Sequence, residues 1–158
     1  MKILLFFILM CKISFGIPID GISWGMSKDQ LNNKYRNLKR VSFNKREEVY
    51  KAEENFKSDT IILNFVLLDG KLIQMKLINK YSRQNTTFSK NLMDIIDDTY
   101  TFTNVDTKYI KKDNKIKQVK EYSGTSNDEL SHIIINVDII EGKHANTFIF
   151  TDKSFYKD

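Results

Sequence analysis

The stretch Thr60-Ile61-Ile62-Leu63-Asn64-Phe65-Val66-Leu67-Leu68-Asp69-Gly70-Lys71-Leu72-Ile73-Gln74-Met75-Lys76-Leu77-Ile78-Asn79-Lys80-Tyr81 decides the fold. Two aliphatic, β-branched runs, Thr60 to Leu68 and Lys71 to Tyr81, flank Asp69-Gly70. That pair favours a tight hairpin because both turn positions take positive φ. A two-residue turn sets Val66 opposite Ile73 and Ile62 opposite Leu77. A three-residue turn shifts the register and swaps the faces. Both faces of the hairpin carry apolar side chains, which predicts a central place in its sheet.

Upstream, Ile17 to Met26 is too Gly-rich for a helix. Ser27 then stands three residues before Gln30, the spacing of a capping box, and Met26 and Leu31 fit a hydrophobic staple. Leu31, Tyr35 and Leu38 recur at i, i+4 and i+7, predicting a helix from Ser27 to about Lys39. Val41 to Phe56 is more polar and predicts one strand near Glu47–Glu54. Downstream of the hairpin, Phe88, Leu92, Ile95, Ile96 and Thr99 predict a second amphipathic helix ending near Tyr100, with Asp94, Asp97 and Asp98 on its other side. A basic hairpin-like stretch, Lys108 to Tyr122, and two strands, His132–Ile140 and Asn146–Thr151, complete the chain. The expected class is α+β: two helices packed on an antiparallel sheet, a pseudo-repeat of a helix followed by about three strands. The helix residues Leu31, Tyr35, Leu38, Phe88, Leu92, Ile95 and Ile96 are expected to be buried against Val66, Ile73, Ile133, Ile135 and Phe148.

Residues 1–16 have the order of a secretory signal: Lys2, the apolar run Ile3–Cys11, then small residues at Ser14 and Gly16. The run falls short of the ~20 residues of a spanning helix, so no transmembrane segment is expected after cleavage. The expectation is an exported protein, periplasmic or secreted, with Ile17 first and residues 17–158 forming one α+β domain. Tandem units 17–84 and 85–158 are the alternative division. Cys11 is the one cysteine, so the exported chain has no disulfide framework. A lipoprotein anchored through Cys11 is the competing reading, against which Met10 is large where a small residue is wanted. The net charge of +5 falls further once Lys2 and Lys12 leave, and such a value gives no support to nucleic-acid binding.

Gly21-Ile22-Ser23-Trp24-Gly25-Met26-Ser27-Lys28-Asp29-Gln30-Leu31 resembles the opening of small exported bacterial proteins that start G-x-x-W-G-M-S and continue into a helix. The helix-then-sheet order resembles the outer-membrane assembly lipoprotein BamE/OmlA and, as a tandem, beta-lactamase inhibitor protein. The second helix departs from such proteins in lacking a Tyr-Gly-x-Pro ending. The resemblance implies a non-enzymatic envelope module that binds or assembles protein, and carries no binding residue over.

Candidate chemistry is sparse. There is no G-x-S-x-G elbow, and His132 and His144 match no ligand spacing. Asp94, Asp97 and Asp98 converge at i, i+3, i+4, as an acid–base or cation site requires, but helix carboxylates alone lack the remaining ligands of a cation. No catalytic residue, metal ligand or cofactor is assigned. Lys108, Lys111, Lys112, Lys115, Lys117 and Lys120 form the densest charge cluster, and on a hairpin Lys115 and Lys117 share a face. They are the candidate binding residues for an anionic polymer or lipid surface, with protection of an exposed sheet edge as the plainer reading. The function expected is a non-enzymatic exported envelope protein that binds an envelope or host protein. The alternatives are a polyanion-binding surface protein using Lys108–Lys120, and a small exported metal-dependent hydrolase.

Overall fold

The computed structural model describes residues 19, 21–56, 59–79, 87–112, 115–140 and 143–156. Residues 1–18, which include the expected signal and Cys11, and the Phe88 side chain lie outside them. The chain runs α1 (Lys28–Lys34), β1 (Lys39–Asn44), β2 (Glu47–Phe56), β3 (Asp59–Leu68), β4 (Lys71–Asn79), α2 (Thr87–Thr99), β5 (Tyr100–Lys112), β6 (Lys115–Ser126), β7 (Ser131–Ile140) and β8 (Lys143–Asp152), ending in a 3₁₀ turn at Lys153–Tyr156. All eight strands form one antiparallel sheet in the order β1-β2-β3-β4-β8-β7-β6-β5.

This corrects the expected class. The molecule is mostly sheet, and its helices are minor: α1 has seven residues and buries Leu31 alone, while α2 reaches the core chiefly through Leu92 and Ile96. Each helix precedes four strands, not about three. The capping box at Ser27 forms, with Ser27 Oγ accepting from the Gln30 N–H and Gln30 Oε1 accepting from the Ser27 N–H. The helix stops at Lys34, because Tyr35 is already extended. Tyr35 and Leu38 still pack against the core, but from a loop rather than from a helix face. Ile95 is 44% exposed. Its expected place on the core is taken by Tyr100 and Phe102, which enter from the strand that begins where α2 ends.

The Asp69-Gly70 turn forms with positive φ at both residues, and β3 and β4 are central strands. The register is as expected only next to the turn, where Leu68 faces Lys71 and Leu67 faces Leu72. Ile73 is then a bulge residue, so Val66 faces Gln74 and Ile62 faces Ile78. The cause is a change of neighbour along β4: Leu72 exchanges backbone hydrogen bonds with Gly25 and Met26 of the N-terminal segment, whereas pairing with β8 starts only at Gln74. The extra residue lets one strand serve both neighbours.

Side chains alternate between two faces. One face carries the core, crossed by a row of facing residues: Ala52, Leu63, Leu77, Phe148, Ile135 and Tyr122. Ile22, Leu31, Leu92 and Ile96 cover it. Trp24 locks the entry segment down by donating from Nε1 to Ser131 Oγ at 2.8 Å, so the first turn of the described chain is tied to β7, the next-to-last strand.

Candidate functional site: the second face of the sheet

Pairing registers place three rows on the other face. The first holds Glu53, Ile62, Ile78, Thr147, Asn136 and Glu121; the second Lys51, Asn64, Lys76, Ile149, Ile134 and Ser123; the third Val49, Val66, Gln74, Thr151, His132 and Thr125. The helices and the entry segment deliver their buried residues to the first face, and none of these aliphatics belongs to that core. Ile62, Val66, Ile78, Ile134 and Ile149 are all partly exposed. Eight strands ~4.8 Å apart, with a mean length of about 30 Å, make a face of roughly 1,000 Å².

The centre of this face is depleted of charge. Across Ile62–Val66, Gln74–Ile78, Thr147–Thr151 and His132–Asn136, Lys76 is the only Lys, Arg, Asp or Glu. It has no ion pair among the described residues. Amides and hydroxyls surround it, and Gln74 Nε2 donates to Thr151 Oγ1 at 3.2 Å. Burial first, and then Lys153, hold the His132 imidazole below its ordinary value, which favours the neutral ring. Charges sit at the margins, and there as pairs: Lys51 with Glu53 at 2.8 Å, Lys108 with Asp106 at 3.0 Å and Lys117 with Asp138. The face therefore has an apolar and neutral-polar centre inside a charged rim.

The sequence-predicted lysines do not converge. Lys108, Lys112, Lys115 and Lys117 take register positions on the second face, and Lys115 and Lys117 do share it. Lys111 and Lys120 fall on the first face, opposite Ile116 and Thr107. Lys108 and Lys117 are engaged by carboxylates, so Asp106 and Asp138 dilute the positive field that a polyanion would meet. Asp94, Asp97 and Asp98 are all exposed on α2. Among the described residues, no group of three or more His, Cys, Asp or Glu side chains is placed to hold a metal ion. His132 lies on the second face of β7 and His144 on β8 facing Ile139, too far along the sheet to act together.

Sequence reasoning had passed over the second face. The two-sided apolar pattern of Thr60–Tyr81 predicts a central place in the sheet, and the sequence reading assigns the second face no role. The signal for an uncovered face is the spacing of Asn64, Gln74 and Lys76 among the aliphatics, since a lysine at the middle of a doubly covered strand would be left without water or partner.

No family model matches the chain, and neither does any curated protein or solved structure. Among the described residues no helix is long and apolar enough to cross a membrane.

Proposed function

We propose that the protein is a non-enzymatic exported module that binds or assembles an envelope or host protein, and that it takes this partner on the second face of the sheet. The supporting observation is the charge-depleted centre around Ile134, Ile149 and Lys76 within a rim of ion pairs. The whole face, at roughly 1,000 Å², is large enough to supply the ~800 Å² per partner of a standard protein interface. A rigid sheet needs little ordering on binding, which lowers the entropic cost of association.

The test uses immobilised protein and envelope extract from the source organism. Wild type retains a partner that Ile149→Lys and Ile134→Glu lose, because a charge placed at the centre of an interface is desolvated without a counter-charge, and a cation at 149 would face Lys76. Asp97→Lys on α2 retains it. Equal capture by all of these variants would place the contact elsewhere. Retention that persists in the isoleucine variants but disappears with Lys112→Gln, Lys115→Gln and Lys117→Gln together would instead favour the polyanion reading.

A further inference from the structure

Among the described residues the sheet has two free edges, and they differ. β1 is six residues long, bulged between Arg40 and Ser42, and opens with two cations, Lys39 and Arg40. Short, bent, charged edges resist pairing with another chain. β5 is thirteen residues long, and beyond its bulge at Phe102–Asn104 it runs without interruption to Lys112. Both edges expose apolar side chains, Val41 at 55% and Phe43 at 61% on β1 and Val105 at 60%, Tyr109 at 70% and Ile110 at 47% on β5, so length and regularity are what set β5 apart.

The sequence of this edge is self-complementary. Val105-Asp106-Thr107-Lys108-Tyr109 reads apolar, acid, threonine, base, apolar. Two copies of β5 laid antiparallel about Thr107 bring Thr107 opposite Thr107 once, on the two-fold axis, and Asp106 opposite Lys108 and Val105 opposite Tyr109 twice each. Opposite charges, threonine pairs and aromatic–β-branched pairs are the cross-strand combinations that stabilise antiparallel ladders. Register and side agree as well. Val105 and Tyr109 alternate to one face of β5, Asp106 and Lys108 to the other, so every pair meets on a common face. The N–H of Thr107 donates to the Asp106 carboxylate at 2.8 Å, which marks it as an outward donor of the free edge. Lys108 holds the same carboxylate within its own strand at 3.0 Å, and this pair can be exchanged for its equivalent across the axis with both charges still at the surface.

We infer that the chain forms a two-fold dimer through β5, with the second copy as the occupant of this edge. The pairing joins two eight-stranded sheets and closes both β5 edges against further growth, as an isologous contact does. About six backbone hydrogen bonds span Asn104–Ile110 of the two copies. The contact uses neither Ile134 nor Ile149, so it is independent of the partner-binding reading, and each can fail alone.

Sedimentation equilibrium over a concentration series tests it. Wild type shows a monomer–dimer equilibrium. Thr107→Pro removes the outward N–H while leaving the β5–β6 ladder, since an edge strand tolerates proline where the N–H faces solvent, and this variant is monomeric. Asp106→Lys and Lys108→Asp each put like charges opposite one another at two places and weaken the dimer roughly tenfold or more. The double variant D106K/K108D restores the opposite-charge pairs and recovers the dimer. Circular dichroism and urea midpoints establish that each variant folds, and if Thr107→Pro does not, the charge-swap series decides. A wild type that stays monomeric to its solubility limit overturns the inference. So does a dimer indifferent to Thr107→Pro, or one that the double charge swap fails to restore.

Discussion

Phe148→Ala probes the seam that makes one sheet out of two four-stranded halves. β4 and β8 pair over only five residues each, Gln74–Ile78 against Thr147–Thr151, whereas β2–β3, β5–β6 and β7–β8 pair over ten or more. Phe148 stands at the middle of the seam, facing Leu77 on one side and Ile135 on the other, and is fully buried. Phe65, Met75, Leu77 and Phe150 are also at 0–1% exposure, so nothing nearby can move in from a solvated position to fill the void. The loss therefore falls at the upper end of the ~3–5 kcal/mol seen for buried Phe→Ala. That is a third or more of the ~5–15 kcal/mol available to a domain. Urea unfolding followed by both far-UV circular dichroism and fluorescence is the assay. Trp24, the one tryptophan, is hydrogen-bonded to Ser131 of β7, so its emission reports contact between the halves. The expected result is one transition by both probes, shifted to lower urea with an unchanged slope. Two separated transitions, or a loss below about 1 kcal/mol, would refute the reasoning that the seam is a packed part of a single cooperative core.

Gly124→Ala tests a close backbone approach: an added Cβ would stand 2.5 Å from the Thr101 carbonyl oxygen and 3.0 Å from Phe102 Cα. The ~0.4–1 kcal/mol gained by stiffening the unfolded chain is outweighed by ~1–3 kcal/mol of overpacking. The urea midpoint should fall, and a rise would contradict the approach. Alkaline titration tests two phenols, Tyr35 partly buried and Tyr100 buried. Burial first, and then Glu54, push Tyr35 up to about 12. Tyr100 is raised by burial foremost, with Asp128 adding and the Ser131 hydrogen bond opposing. Both ionise later folded than unfolded, so their contribution is complete below about pH 10 and is lost as pH rises toward 12 and beyond. Tyr35→Phe should flatten the alkaline fall in stability; an unchanged profile would show that Tyr35 ionises in the ordinary range.

The parts of the fold that could be read from sequence are those set by local chemistry. Asp69-Gly70 announces its turn, Ser27 and Gln30 their capping box, and His132–Ile140 its strand, because each depends on neighbours a few residues away. The bulge at Ile73 could not be read in the same manner, since it follows from Gly25 and Met26 pairing with Leu72, almost fifty positions distant. β1 was missed because all six of its residues are exposed and the alternation Val41-Ser42-Phe43-Asn44 is too short to mark a strand by itself. Leu31, Tyr35 and Leu38 satisfied a helical period, yet two of the three reach the core from non-helical backbone. Period identifies which residues seek burial more securely than it identifies the conformation that brings them there. For the candidate site, the aliphatic content of the second face was evident in Thr60–Tyr81. Its exposure depends on both helices covering the first face, which is a property of the whole chain.

The most direct measurement is site-specific photo-crosslinking in the source organism. A photoreactive side chain replaces Ile149 at the centre of the second face, and in a parallel variant replaces Asp97 on α2. The account predicts one crosslinked protein from position 149, competed away by added wild type but not by Ile134→Glu protein, and none from position 97. Crosslinks that arise from position 97 alone, or that Ile134→Glu protein competes as well as wild type does, would contradict it.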